Sequence, residues 1–300
     1  MPLSSATQSK HGAPAETRAP IAQALLAQLD EIAQRWPPAP VVRLHLPLQS
    51  PTGQPHDAEF CAIELADGGF GLSYVLLGDT LHELLRGHGG GAPLAGADPM
   101  ALARRLSGGN SVARALALAA INAMTDAVWR RLGYQPPPAG NSLGDITLAA
   151  QDHLGMIGFF PPLVRRIAAA GGRLSVVELS AEMVARQRER FPGVHITLER
   201  AALANCNLVV GTSTMLLNDT LDAMLAAAPQ ASRFAVIGPS AGLWPDALFE
   251  RGVTLLGGTR VVDPAAFRDA MAAGASWSGA TQKFAIDRAG WPGWRALIGR

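Results

Sequence analysis

The chain has 300 residues, with 25 Lys and Arg against 24 Asp and Glu, a formal net charge of +1 at neutral pH. That balance gives no reason to expect a nucleic acid or an anionic membrane as partner. With 48% hydrophobic and 16% charged residues the composition is that of a soluble globular protein, long enough for two domains each with its own core.

Residues 1–18 are polar and lack the basic start and apolar core of a signal peptide; they are expected to be a disordered N-terminus. From Ala19 to Trp36 the apolar residues Ile21, Leu25, Leu29 and Ile32 form a helical stripe, which Pro37-Pro38 stops. Val41 to Leu48 reads as a strand. Glu59–Leu65 and Phe70–Leu77 flank Ala66-Asp67-Gly68-Gly69, a hairpin signal. Thr80–Arg86 is a short helix, and Gly87-His88-Gly89-Gly90-Gly91 a flexible loop. Helices over Asp98–Leu106 and Asn110–Arg131 follow, so residues 19–135 read as an α+β domain. The most apolar stretch, Ala113–Trp129, carries Arg114, Asn122 and Asp126, and is too short and too polar to span a bilayer.

Gly133 to Asn141, with Pro136-Pro137-Pro138, is a linker, stiff at its prolines and loose at its glycines. Over residues 145–300 the pattern changes to strands alternating with helices. Strands are expected at His153–Phe159, Leu174–Leu179, His195–Leu198, Leu208–Gly211, Phe234–Ile237 and Val253–Leu256. Helices are expected at Leu163–Ala170, Ala181–Arg190, Leu216–Ala227, Pro245–Arg251 and Pro264–Ala272. Short apolar strands separated by helices imply a parallel sheet covered on both faces, an α/β unit whose ligands sit outside the carboxyl ends of the strands.

The loops at those strand ends hold the candidate site residues. Gly155-Met156-Ile157-Gly158-Phe159-Phe160-Pro161 is not the G-x-G-x-x-G dinucleotide fingerprint, because two aromatics stand where a pyrophosphate needs bare backbone. The glycines either admit a ligand or permit close packing of strand and helix. Glu178 lies 20 residues beyond Gly158, the offset at which dinucleotide-binding domains place a ribose-binding acid; a solvated strand-end acid is the alternative. Val209-Val210-Gly211-Thr212-Ser213-Thr214 runs from a strand into three hydroxyl residues before a helix, where hydroxyls and free amides can cradle an anion or a polar ring edge, or merely cap the helix. Gly238-Pro239-Ser240 ends the next strand and is not a nucleophile elbow. Asn110 or Ser111 caps the long helix, and Arg114 sits near that helix's N-terminus, where the dipole disfavours a cation, which points to a carboxylate or anionic ligand nearby or to a surface position. Asn122, if buried, needs partners. The histidines show no H-x-x-x-H or H-x-E spacing, and nothing resembles a zinc site. Cys61 and Cys206, in different halves, read as small core residues rather than a disulfide, which fits a reducing cytoplasm, the expected location.

Taken together these segments resemble the putative heavy-metal chelation proteins, a family of unknown biochemical function. The matching pieces are Phe70-Gly71-Leu72-Ser73-Tyr74, Gly109-Asn110-Ser111 with Ala115 to Ala123, Leu154 to Pro162, Val177-Glu178-Leu179, Gly211 to Thr214 with Asn218-Asp219-Thr220-Leu221, Gly238-Pro239-Ser240-Ala241 and Ala247 to Val253. The resemblance implies an enolase N-terminal-like α+β domain preceding a Rossmann-like domain, with a site where the two meet. Asp219 stands where the family resemblance implies glycine, and Ser213 and Ser240 where it implies threonine. Lys283 matches a lysine near the family's C-terminus that could return a cation to the crevice, a surface position being the alternative. The expected ligand-binding set is Asn110, Arg114, Gly155, Gly158, Phe160, Glu178, Thr212, Ser213, Thr214, Asn218, Gly238, Ser240 and Lys283. Glu178 and Asp219 are the candidate metal ligands. The expected partner is a small molecule or metal: either a divalent or heavy metal, free or complexed, or a nucleotide- or S-adenosylmethionine-like cofactor serving an enzyme. Neither a nucleic acid nor a membrane is expected as partner, and an alanine-rich surface leaves room for a homodimer.

Overall fold

The computed structural model describes residues 19–48, 59–88, 94–140, 149 and 151–299. The expected disordered N-terminus, Gly89-Gly90-Gly91 and Asn141 lie outside the described residues.

Helix α1 (Ile21–Arg35) leads into a three-stranded antiparallel meander, β1 (Val41–His45), β2 (Phe60–Leu65) and β3 (Phe70–Tyr74). The β2–β3 hairpin pairs Glu64 with Phe70 around the predicted Gly68-Gly69 turn, Gly68 at φ +86°. Helix α2 runs Thr80–His88, so Gly87 and His88 are helical rather than loop. Short α3 (Pro99–Ala103), capped by the Asp98 carboxylate, precedes α4 (Ser111–Arg131).

Helix α4 organises the molecule. It is apolar nearly all round because it is covered on both sides, by β3 on one and by the large sheet on the other. Its alanines let the hairpin approach so closely that Gly71 lies directly against the Ala119 carbonyl and the Ala123 amide. At 21 residues it is long and apolar enough to cross a membrane, contrary to the expectation from sequence, yet 78% of its most apolar window is buried inside the protein. Asn122 is buried and does have partners. Its Nδ2 donates to the carbonyls of Leu72 and Ser240, both at 2.8 Å, tying β3 to the second sheet.

That second sheet has seven strands, β4 (His153–Ile157), β5 (Arg173–Val177), β6 (His195–Thr197), β7 (Leu208–Thr212), β8 (Arg233–Ile237), β9 (Leu255–Val261) and β10 (Thr281–Asp287), in the order β10-β9-β8-β7-β4-β5-β6. All pairs are parallel except β9–β10. Counted from β4, the parallel strands follow the order 3-2-1-4-5-6 of a Rossmann fold, so the protein is α/β with a Rossmann-like sheet following an α+β unit. Helices α5 (Pro161–Ala169) and α6 (Ala181–Arg190) cover one face through Leu163, Val164, Ile167 and Val184. The other face, with Ile157, Val177, Val209 and Val236, shares one cluster with Leu25 of α1, Ile63 of β2 and α4. Length alone suggested two domains each with its own core; one cluster of buried apolar residues runs through both units because α4 packs on both, and a separate cluster lies under α5 and α6.

Three local expectations are corrected. The helix expected over Leu216–Ala227 is a single turn, Ser213–Leu216, then α7 (Leu221–Ala227), broken where Asp219 adopts φ +59°. Strand β9 extends to Val261 through Gly257-Gly258, where Gly258 is needed because Phe284 and the Ala241 carbonyl press on it. Its partner β10 was not expected at all. The linker is held rather than loose: Ala139 donates to the Lys283 carbonyl and Ala285 to the Pro137 carbonyl, both at 3.0 Å, which covers part of the outer edge of β10. Helices α8 (Asp246–Phe249), α9 (Pro264–Ala273) and α10 (Trp294–Ile298) complete the fold.

Candidate functional site

The chain reverses direction across the sheet between β4 and β7: β5 and β6 are added on one side of β4, β7 to β9 on the other. Adjacent loops diverge at such a switch point and leave a crevice beyond the strand ends. The segments that meet there follow β4, β5 and β7, carrying Gly158 to Phe160, Glu178 and Thr212 to Thr214.

Gly158 closes β4 at φ +78°, its amide donating to the Val177 carbonyl at 2.9 Å, and a Cβ on it would lie 3.0 Å from Thr212 Cγ2. Conformation and space both demand glycine. Gly155 has a different task. It lies within β4, where a Cβ would press on Leu203 and Cys206, so it serves packing and is removed from the expected ligand set. Phe160 is half-buried at the start of α5, and Phe159 packs on Phe191 with ring centroids 5.1 Å apart.

Glu178 is the residue that stands out. Its backbone amide donates to the Thr197 carbonyl, its side chain is turned inward so that the residue is 8% exposed, and its Oε1 is buried without a hydrogen-bond partner. Burial pushes its carboxyl above the usual carboxylate range, with a hydrogen bond from the Leu179 backbone pulling the other way. Beside it Leu179 and Leu198, at the ends of β5 and β6, are large apolar residues left exposed. Sequence inspection missed these two. The signal was available in an apolar residue within two positions of each strand end, where a polar one is usual.

The hydroxyl loop is largely occupied with itself. Thr212 Oγ1 accepts from the amide and the hydroxyl of Thr214, both at 3.3 Å, and Ser213 is buried against Gly238, which has φ +141° and no room for a side chain. The Asn218 side-chain amide lies 3.2 Å from the carbonyls of Thr214 and Met215 and 2.7 Å from the Thr220 hydroxyl, so its NH2 end caps the turn. Ser240 is fully buried, its Oγ accepting from the Tyr74 amide at 2.9 Å, and so joins the two units instead of facing a ligand. Of this group Thr212 and Thr214 alone keep half-exposed hydroxyl-bearing side chains at the crevice.

From above, α4 brings Arg114 onto the same loop. Its Nε donates to the Leu217 carbonyl at 2.5 Å, its side chain is 13% exposed, and its Nη2 is buried, unbonded and 3.7 Å from Asp219 Oδ1. Asn110 is exposed, and its Oδ1 accepts from the Ala113 amide at 2.9 Å as the helix cap. Lys283 does not reach the crevice. It is exposed on β10, three strands beyond β7, roughly 14 Å away at ordinary strand spacing. It also points away from the α4 side, where its neighbour Phe284 packs on Trp129. Asp219, the position where the resemblance implied glycine, takes a left-handed conformation that a side chain resists. Asp219→Gly is therefore expected to raise unfolding stability by up to roughly 1 kcal/mol, read from urea midpoints.

Two apolar or open recesses lie elsewhere, one lined by Leu29, Ile32, Trp36 and Met124, the other by Pro20, Asp222, Leu225 and Arg251; neither holds a residue expected to bind a ligand. Among the described residues no group of three His, Cys, Asp or Glu side chains could hold a metal, so Glu178 and Asp219 do not form such a centre.

Two family descriptions match this chain, over residues 58–125 and 143–289, and both read putative heavy-metal chelation. The chain belongs to that family. Two solved structures of proteins with unknown function from this chelation family share its fold. One, from Pyrococcus horikoshii, is 18% identical with TM-score 0.63 and covers 89% of this chain and 99% of its own. The other, from Desulfitobacterium hafniense DCB-2, is 22% identical with TM-score 0.61 at the same coverages. No curated protein matches the sequence. At these identities the two structures establish the chelation-family fold and leave its chemistry to the residues of this chain.

Proposed function

We propose that this chain binds a small polar ligand, free or carrying a metal, in the crevice where β4, β5 and β7 end and α4 begins. Glu178 carries the reading: a carboxylate this buried, with an oxygen left unbonded, is costly unless something donates to it. In this reading Glu178 accepts from a hydroxyl or amine of the ligand, the Thr212 hydroxyl donates to one of the ligand's oxygens, Thr214 Oγ1 accepts from the ligand, and Leu179 and Phe160 flank its apolar part. The Nη2 of Arg114 offers a donor to an anionic end.

The family description supports a small-ligand or metal role. The donor set argues against a closed protein cage for a soft metal. Both thiols are buried in separate places, and burial pushes Cys61 up to about 12 and Cys206 up to about 11, so neither offers a thiolate at neutral pH. In the crevice a metal would come in complex with the ligand, with oxygen donors completing its shell.

A second reading, an enzyme with a nucleotide- or S-adenosylmethionine-like cofactor, is favoured by one observation. Glu178 closes the strand next to the Gly158 turn, where Rossmann domains place the acid that meets a ribose. Native mass spectrometry and elemental analysis of freshly purified chain separate the two. A metal-bearing adduct supports the first, and an organic, nucleotide-sized adduct without metal the second.

Glu178→Gln tests the site itself. The variant is expected to lose at least tenfold of the adduct-bearing fraction while folding normally. Because burial raises the Glu178 carboxyl, its folded form binds a proton more readily than its unfolded form. Its contribution to stability is thus full below the unfolded value near 4.5 and lost as pH rises through the folded one. Glu178→Gln should therefore melt higher than the parent at pH 7, with the gap closing by about pH 4. A lower melting temperature at pH 7 would instead mark Glu178 as a structural group.

A further inference from the structure

The opposite edge of the sheet carries a cluster that the crevice does not use. His153 opens β4, Ser175 lies in β5 and His195 opens β6, so three neighbouring parallel strands each contribute one side chain. Strand alternation puts all three on one face. His153 shares its side of β4 with Gly155, which packs on Leu203 and Cys206, and the register pairs Gly155 with Ser175 and Ser175 with His195. The two rings converge on one oxygen, with His153 Nε2 2.8 Å and His195 Nδ1 3.4 Å from Ser175 Oγ. Ser175 itself is 4% exposed, so this meeting point is built into the sheet.

We infer that His153 Nε2 and His195 Nδ1 form an open two-histidine site for a divalent ion of the zinc, nickel or copper class, with water or a small ligand completing the shell. Imidazole nitrogen suits these ions, and a site with few protein ligands keeps positions open. The contacts place the two nitrogens within about 6 Å of each other. Joint ligation at metal–nitrogen bonds of about 2 Å brings them to roughly 3.4 Å. Exposed His195 can supply that movement by a side-chain rotation, while His153 is held by the sheet. His153 is half-buried and its Nε2 lies 2.8 Å from Ser175 Oγ, so the ring is held with that nitrogen toward the site. Arg173 opposes a cation here, and Asp152, next to His153, favours one. Among the described residues no third His, Cys, Asp or Glu completes a group, which makes the site one for exchangeable rather than permanently held metal.

The site lies about 16 Å from the crevice, the length of β4, so the two can be tested apart. The experiment is calorimetric titration of Zn2+ into the full chain without an affinity tag, in four forms: parent, His195→Ala, Ser175→Ala and Glu178→Gln, with the melting curve of each recorded. The expected result is one ion per parent chain at a dissociation constant on the order of 10 µM. Binding should weaken at least tenfold in His195→Ala, whose position is exposed and whose melting should be unchanged. It should persist in Ser175→Ala, where the hydroxyl no longer competes, and in Glu178→Gln. No binding up to 1 mM Zn2+, or binding that His195→Ala leaves intact, overturns the inference. Binding weakened by Glu178→Gln instead would move the metal to the crevice and overturn it equally.

Discussion

Asp126→Ala is expected to cost the fold about 3–5 kcal/mol. Its carboxylate, 5% exposed, accepts from Arg130 Nε at 2.6 Å, Arg260 Nε at 2.8 Å and the Phe70 amide at 3.1 Å. Those donors come from α4, β9 and β3, so one side chain joins the meander, the long helix and the large sheet. The Arg260 side chain is only 11% exposed. Without Asp126 it becomes a buried cation without its counter-charge, and the Phe70 amide loses its acceptor. Most of the cost is that uncompensated charge rather than the strength of the pair. Equilibrium unfolding in urea, followed by circular dichroism, measures it. Asp126→Asn, which keeps an acceptor for Phe70, should fall between the two. A loss below about 1 kcal/mol for the alanine variant would show that water reaches Arg260 readily.

Gly71→Ala should be worse, leaving little folded protein at 25 °C. A methyl group there would overlap two backbone atoms of α4, the Ala119 carbonyl oxygen and the Ala123 nitrogen. Backbone cannot rotate aside as a side chain can, so the hairpin and helix must separate and open the interface that both sheets share. Gly78→Ala is the control. Its φ of +55° carries a conformational penalty, but no atom lies within 4 Å of the added methyl, so it should cost only about 1 kcal/mol. Soluble yield and urea midpoint compare the two. Equal, small losses would show that α4 does not pack on β3 this closely.

Much of the fold was legible from local pattern. The β2–β3 turn, the stop after α1, α6 over Ala181–Arg190 and the alternation of strand and helix after the linker follow from periodicity, glycine and proline, which act over a few residues. The errors came where a neighbour distant in sequence overrides local preference. Strand β9 runs through two glycines because Phe284 fills the space above Gly258, and β10 exists because it can pair with that strand. The helix expected over Leu216–Ala227 breaks at Asp219, in a conformation most residues avoid.

The site divides in the same way. The sequence by itself placed Gly158, Glu178 and Thr212 within a residue of a strand end, because strand length and the turn that follows are local properties, and it carried the family in its motifs. Only the tertiary structure decided which of these face a ligand. Gly155 and Ser240 look in sequence like their neighbours, yet strand packing and the Tyr74 amide claim them. Lys283 is separated from the crevice by strand order, and His153 and His195 meet only through the register of three parallel strands. The single unbonded oxygen of Glu178 is a fact of burial, and burial is decided by the whole chain at once.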